Sequence, residues 1–582
     1  MEQRRAGEGR PRPLFLCPRS DIIPNVLPVL SAEQIREIDR LTVENYHTSS
    51  LLLMEAASAA CMEAVRAGLE GNVAGKTALI LCGKGNNGGD GAALARTMSR
   101  DGMHCSVVLF GKLSETSGDA RTNFESVSRL ASFEAGSSEA PPPLTFIECE
   151  TVVAWEQLAK PRRAYDVIVD ALFGTGLTRP LEGVFLKVIE HVAMLREARN
   201  RASGTRPLVL SIDIPSGLNA DKPKPIGPAV QADITVTFTA AKPANVLAPA
   251  CLFGGELIVA DIGSPASLIQ AQRPWLFVTE AEDARQWLVS TRYTPESYKN
   301  THGHVLLAAG SRGYSGAAAL SGNAAMRSGA GLVTIATPVS AQTSVASSAM
   351  PEVITTALAE TDRGVVSDEA VEHFLRLAGK ATVVAVGPGL TADDERTRRF
   401  VRAVVERRTT PCVIDADGLN SLAPWPEDLK GSNEHPIVLT PHPGEMLRLL
   451  GAEDKSALDD RVAVAREFAR AHQLILVLKG SRPLIATPDG RVFINPTGNA
   501  GLGTAGAGDT LTGLISGFLA QAYATLEDRA DAVATTVAAL YTGGLAADFA
   551  AKKLGMRTLL ASDIREHFTD AIRSLDPLGE HP

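Results

Sequence analysis

Aromatic residues are scarce, at 5% of the 582 positions. There are only seven cysteines (Cys17, Cys61, Cys82, Cys105, Cys149, Cys251 and Cys412), scattered and with no C-x-x-C pair. No apolar run approaches the roughly 18 residues of a membrane span. There is no basic excess either, since the formal net charge is −9. Each shortage excludes something. Scattered, odd-numbered cysteines argue against a disulfide framework and against structural zinc, and point to a reducing, cytoplasmic setting. Mild acidity argues against non-specific nucleic-acid binding, and the lack of a long apolar run argues against a membrane partner. The first twenty residues hold five arginines against two glutamates. The apolar stretch around them is broken by Pro18, Pro24 and Pro28, so it is no signal peptide, and residues 1–28 are expected to form a disordered leader. What the chain does have is glycine (51), proline (34) and a hydrophobic share of 45%. That mixture suits α/β layers, whose strands are apolar on both faces and whose Gly-rich turns meet ligands. The length allows three or four small domains or two large ones.

Ser31 with Gln34 three residues on predicts a capping box opening a helix. A second helix is expected over 51–69. An apolar strand over 76–82, a Gly-rich turn over 83–91, a helix over 92–100 and a strand over 105–110 make a βαβ unit, hence a parallel sheet. Residues 114–143 are polar and then Pro-rich, and read as an irregular excursion. Strands resume at 165–170, 207–212, 233–238 and 257–262. Alternation lapses between 263 and 297, so the expected division is 29–270, a linker over 271–295, and 296–578. Further strands are expected at 304–309, 332–336, 382–386, 412–414, 437–439 and 474–478, with helices between them.

Three motifs in the first half end strands. GKGNNGGDG at 83–91 begins as G-x-G-x-x-G, so backbone and helix N-terminus can approach a phosphate. A nicotinamide dehydrogenase would close the next strand with a ribose-binding carboxylate. Here that strand ends Leu109-Phe110-Gly111-Lys112. DALFGTG at 170–176 and DIPSG at 213–217 end two further strands. Ligands of parallel sheets bind at such ends, so the three should converge on one pocket. In this order they resemble the NAD(P)H-hydrate epimerase domain of bifunctional nicotinamide-nucleotide repair enzymes, over residues 28–263. The resemblance implies a Rossmann-like fold that interconverts the R and S hydrates of NADH and NADPH. It implies that Asn86, Asn87, Gly88, Gly89 and Asp90, with Gly174, Thr175, Gly176, Leu177, Thr178, Arg179 and Pro180, bind the hydrate. It also implies potassium on Asn87, Asp170 and Ser216, oxygen ligands that suit a hard cation. Asp213 would contact the substrate and is the candidate for proton transfer. Lys242 stands where the family often has lysine.

The second half is dominated by GAGD at 506–509, followed by a helix expected over 511–520. Such a turn offers a nest of N–H donors, Ala505, Gly506, Ala507 and Gly508, at a positive helix end. The nest would stabilise charge on a transferring phosphoryl group while Asp509 takes a proton from the attacking hydroxyl. This resembles the ribokinase-like superfamily. KGSRP at 479–483, DADGLN at 415–420, TPHPGE at 440–445 and GPG at 387–389 also end strands. His442, between prolines, is a better ligand candidate than His302 or His304. GHVLLAAGS (303–311), SGAGLVTIAT (328–337), VGPGL, DADGLN and TPHPGE as a set resemble the ADP-dependent NAD(P)H-hydrate dehydratase domain, over residues 298–575. The resemblance implies that ADP, with Mg2+, drives dehydration of the S hydrate to NAD(P)H, AMP and phosphate. It implies hydrate contacts at Ala317, Gly389, His442 and Asp509. It also implies nucleotide contacts at Lys479, Gly480, Ser481, Arg482, Pro483 and Gly508. The expected whole is a two-domain metabolite-repair enzyme, a homo-oligomer working on small molecules. The alternative is a vitamin-precursor kinase fused to a non-catalytic binding module.

Overall fold

The computed structural model describes residues 26–135, 143–160, 165–201 and 206–577. Most of the leader, residues 1–25, lies outside them.

Two sheets carry the architecture. The first has seven parallel strands in the spatial order Leu144–Glu148, His104–Leu109, Thr77–Cys82, Val167–Ala171, Leu208–Ile212, Ile234–Phe238, Glu256–Ala260. Counted along the chain this is 3-2-1-4-5-6-7, the Rossmann order with one added strand. Its switch point lies between Thr77–Cys82 and Val167–Ala171, the strands that end in GKGNNGGDG and DALFGTG. Both strands are buried on both faces, as their unbroken apolar runs require. Apolar cores cover the two faces, one around Ile80, Leu94 and Val169, the other around Leu81, Ile168 and Val209.

The second sheet has eleven strands. Seven form a parallel centre, ordered Ile475–Leu478, Ile437–Leu439, Cys412–Ile414, Val383–Val386, His304–Ala308, Leu332–Pro338, Ile354–Leu358. The hairpin Leu484–Ala486 and Val492–Ile494 adds antiparallel strands at one side. Leu276–Val278 then pairs parallel to Val492–Ile494, and Leu27–Pro28 pairs antiparallel to Leu276–Val278.

Several expectations change here. Residues 271–295, expected as a linker, hold the strand Leu276–Val278 and the helix Ala281–Ser290, which packs on Ala532–Leu554 and Phe568–Leu575. The end of the expected leader, Leu27–Pro28, is an edge strand of the second sheet. Residues 114–143, expected to be irregular, contain the helix Gly118–Ala135, and Leu144–Glu148 after it is the outer strand of the first sheet. The helix buries Phe124 and Val127 in the core, so its polar composition belongs to the solvent face. The Ser31 capping box is present in full: Gln34 N donates to Ser31 Oγ at 3.2 Å and Ser31 N to Gln34 Oε1 at 2.9 Å.

The halves touch. Val29, Ala241, Val246 and Leu247 join the same apolar cluster as Leu276 and Val278. Lys224 Nζ pairs with Asp459 Oδ1 at 2.8 Å. Among the described residues one helix, Ala532–Leu554, is long and apolar enough to cross a membrane, but 67% of its most apolar window is buried inside the protein.

Candidate active sites

The first site is a cleft of 860 Å³ at the switch point, lined among others by Asn86, Asn87, Asp90, Gly174, Thr175, Gly176, Asp213 and Lys242. The helix Asn86–Arg100 starts inside the Gly-rich motif, earlier than the sequence suggested, with Gly85 as its N-cap. The turn needs its glycines for space. A Cβ on Gly83 would stand 2.0 Å from the Leu172 carbonyl oxygen, and one on Gly88 1.9 Å from that of Gly83. Gly88 and Gly89 are therefore buried packing positions beneath the cleft. The 174–180 segment splits. Gly174 to Gly176 line the cleft, whereas Leu177 is buried in the core behind it and Thr178, Arg179 and Pro180 are exposed outside the lining.

Asp213 has φ +66°, a conformation that costs a non-glycine residue energy and is held by its surroundings. Its Oδ1 accepts from Lys242 Nζ at 2.7 Å and from Thr237 Oγ1 at 2.9 Å. Lys242 is 1% exposed, and its Nζ also reaches Thr237 Oγ1 and the Phe238 carbonyl. Lysine and aspartate thus form a fixed pair at the cleft floor. Behind it, buried Asp170 accepts from Ser216 Oγ (2.6 Å), Ser216 N (2.8 Å) and Ser211 Oγ (2.8 Å). Burial pushes the Asp170 carboxyl up, against the pull of those donors. Asn87 Oδ1 lies beside Gly174, and Phe173 N donates to Ser216 Oγ, so Asn87, Asp170 and Ser216 share one neighbourhood. Burial, then the charges of Asp213 and Asp39, raises the Asp90 carboxyl well above its ordinary range.

Asp39 is a functional candidate that the sequence reading missed. It lies on the helix Ala32–Tyr46 and lines the cleft. The available signal was its place four residues after Ile35, on the stripe that Ile35, Ile38 and Thr42 bury.

The second site gathers the loops at the carboxyl ends of the second sheet's parallel strands. Lys479 Nζ donates to Asp415 Oδ1 at 2.8 Å and stands 3.6 Å from Glu445 Oε2. Thr512 Oγ1 holds the other Asp415 oxygen at 2.7 Å. The helix after GAGD is Ala507–Thr525, again beginning inside the motif, with Gly506 as a left-handed N-cap at φ +84°. This places Asp509 in the first turn, where the helix leaves its N–H groups free of internal partners. Asp509 is pushed up to about 7, chiefly by burial and then by Asp415, while Lys479 pulls the other way. Gly508 packs against the Lys479–Asp415 pair.

Ala317 and Gly389 meet. A Cβ on Gly389, at φ +68°, would stand 3.1 Å from Ala317 Cβ and 2.9 Å from the Tyr314 carbonyl oxygen. Thr391 N donates to Asp417 Oδ2 at 2.9 Å, tying this loop to DADGLN. His442 caps the helix Pro443–Leu450: its Nδ1 accepts from Gly444 N at 3.0 Å, and its Nε2 stands 3.5 Å from Glu445 Oε1. A cleft of 660 Å³ adjoins this cluster, lined by Lys479 to Pro483, Asn495 to Ala500, Gly508 and apolar side chains including Leu514, Leu540 and Phe568. Ala505 and Gly506 lie outside that lining. Leu252, from the first half, reaches it. Among the described residues no cluster of three His, Cys, Asp or Glu side chains forms a metal site.

Two α/β domains, each with a Gly-rich turn and an acid at strand ends, have the architecture of a two-site enzyme. Comparison with known proteins makes this particular. A family profile described as NAD(P)H-hydrate dehydratase matches residues 305–570, and one described as YjeF-related protein N-terminus matches residues 50–244. The bifunctional NAD(P)H-hydrate repair enzyme Nnr of Moorella thermoacetica is 37% identical over 94% of this chain and 97% of its own length. That of Escherichia coli is 31% identical over 84% and 83%. A Bacillus subtilis ADP/ATP-dependent NAD(P)H-hydrate dehydratase, crystallised with ATP and Mg2+, is 30% identical and covers 51% of this chain and 98% of its own, with a TM-score of 0.43. The chain belongs to the bifunctional NAD(P)H-hydrate repair enzymes, with an epimerase and a dehydratase domain. A kinase fused to a mere binding module has correspondingly less support.

Proposed function

We propose that the first cleft epimerises R- and S-NAD(P)H hydrate and that the second dehydrates the S form with ADP, giving NAD(P)H, AMP and phosphate. The observation that carries this reading is the pairing of two different proton-handling centres, Asp213–Lys242 and Asp509–Lys479–Asp415, on one chain. In the first cleft Asn86, Asn87, Asp90 and Gly174 to Gly176 bind the hydrate. Gly88, Gly89 and Leu177 to Pro180 support that wall from behind or beside it. Asp213, held in place by Lys242, handles proton transfer during epimerisation.

Potassium fits the oxygen set of Asn87, Asp170 and Ser216, hard donors gathered around the Phe173–Gly174 backbone. Bound there, the ion would offset the charge of the substrate's diphosphate.

In the second site Asp509 takes the proton of the hydrate hydroxyl, whose oxygen attacks the β-phosphorus of ADP, and AMP departs. Hydroxide is a poor leaving group and phosphate a good one. Loss of a proton from the neighbouring carbon then expels phosphate and restores the ring double bond. The nest at Ala505 to Gly508 stabilises the phosphoryl charge. Lys479 to Pro483 and Gly508 hold the nucleotide, while Ala317, Gly389 and His442 position the hydrate. Mg2+ belongs to the nucleotide's phosphates, as is usual for this cation.

The buried free cysteines fit a cytoplasmic location. A homo-oligomer is part of the same reading, and light scattering measures it. The functional test supplies both NADH hydrate epimers with Mg2+ and ADP and follows nicotinamide absorbance. Recovery of both epimers is expected. Recovery of S alone, beyond the spontaneous rate, contradicts the epimerase assignment, and no recovery contradicts the dehydratase assignment.

A further inference from the structure

Hydration of an enamine puts the hydroxyl on the carbon bonded to nitrogen. Inverting that carbon by breaking its C–O bond needs two proton transfers, one to the departing hydroxyl and one from the water that adds on the other face. Asp213 supplies one acid–base group. Its carboxylate is fixed by Lys242 and Thr237. The cleft therefore needs a second group in a contrasting environment, the usual arrangement when two carboxyls divide acid and base roles.

Asp39 meets that need. It faces the same cleft from a separate element, the helix Ala32–Tyr46. Its Oδ1 is buried and has no hydrogen-bond partner. Of the nearby cations, Arg40 is taken by Glu37 and Glu44, and Lys242 by Asp213. A buried carboxylate oxygen without a donor costs stability unless it is protonated or a ligand meets it. Burial, moderated by Lys242 and reinforced by Asp213, pushes this carboxyl up to about 6, so it holds a proton far more readily than an ordinary aspartate.

We propose that Asp39 is the second catalytic acid–base residue of the epimerase site, working opposite Asp213. The inference rests on the epimerase reading of this cleft. The Asp39 carboxyl gives its proton to the hydrate hydroxyl, the C–O bond breaks, and water leaves while the nitrogen lone pair forms a planar C=N+ iminium. Water adds from the other face, a new C–O bond forms, and the released proton goes to Asp213. No oxidant or reductant is required. The opposite epimer runs the same steps with the two carboxyls exchanging roles.

The test uses the full chain and its own dehydratase as reporter. Purified R-NADH hydrate, with Mg2+ and ADP, gives NADH only after epimerisation, whereas S hydrate does not need that step. Asp39→Asn should lower NADH formation from R by at least about a hundredfold in kcat. Its KM for R should stay within about threefold, and turnover of S should be unchanged. Run in H218O without ADP, wild type should place 18O in the epimerised hydrate, and Asp39→Asn should lose that label. Asp39→Glu, which keeps the carboxyl, should restore part of both. If Asp39→Asn epimerises and labels like wild type, the inference is overturned. It is overturned equally if R is inverted without 18O uptake, or if only KM rises. A wild type that inverts R no faster than buffer would instead overturn the underlying epimerase reading.

Discussion

Replacing Asp415 by asparagine should move the acid limb of the dehydration step to lower pH. Asp509 sits at about 7 because burial, and then the Asp415 carboxylate, disfavour its ionisation, while Lys479 partly opposes them. It can accept a proton only as the carboxylate. Below about 7 the wild-type kcat/KM for S hydrate should therefore fall by about tenfold per pH unit, and above that value it should level off. Asp415→Asn removes the largest charge acting against Asp509 and leaves Lys479, still 3.6 Å from Glu445, as a less shared cation. Both changes favour ionisation. At an effective dielectric near 20, a unit charge at about 4 Å is worth about 4 kcal/mol before relaxation, which bounds the effect from above. After relaxation a net shift of about one unit, or about 1.4 kcal/mol, is expected. The assay is NADH absorbance from S hydrate at saturating Mg2+ and ADP over a series of buffers. Ionisation of the nucleotide is common to both enzymes, so the difference between their profiles isolates the carboxyl. A limb that stays in place, or moves up, refutes the assignment of Asp509 as the base.

Further expectations follow from the same geometry. Gly83→Ala would drive a Cβ to within 2.0 Å of the Leu172 carbonyl, and should destabilise the first domain by about 3 kcal/mol in a thermal melt while the dehydratase reaction persists. Lys242→Met strips a nearly buried partner from Asp213; R-hydrate turnover should fall by about a hundredfold, and a matching loss in a variant where Asp213 is also changed would identify one shared effect. Gly389→Ala puts a Cβ 2.9 Å from the Tyr314 carbonyl at a left-handed backbone position, so KM for S hydrate should rise by about tenfold with KM for ADP unchanged. Exchanging potassium for a bulky organic cation should slow R-hydrate turnover more than S-hydrate turnover, and equal slowing would count against the Asn87–Asp170–Ser216 site.

Most of the parallel strands were legible as short apolar runs rich in β-branched residues that lead into a Gly-containing turn, as at Val167–Ala171 and Val383–Val386. What escaped was short or decided by distant packing. Leu27–Pro28, an edge strand, and Leu276–Val278 beside it are only two and three residues long, and their pairing joins segments about 250 positions apart, which no local pattern encodes. The helix Gly118–Ala135 was hidden by a polar composition that serves its solvent face. The centres of both sites were legible as motifs because phosphate chemistry demands glycine at strand ends. Their outer members were not. Leu177 follows the GTG of its loop yet turns into the core, and Asp39 gains its chemistry only because a helix elsewhere in the chain delivers it to the cleft.

The central claim is that two independent centres act in sequence on one substrate. Complementation between Asp213→Ala and Asp509→Ala tests it most directly, with R-NADH hydrate, Mg2+ and ADP in one cuvette. Each variant alone should release NADH no faster than spontaneous inversion permits. Mixed, they should restore it toward the wild-type rate, because the second variant still makes S and the first still dehydrates it. Failure of the mixture, with both variants folded, would contradict the account.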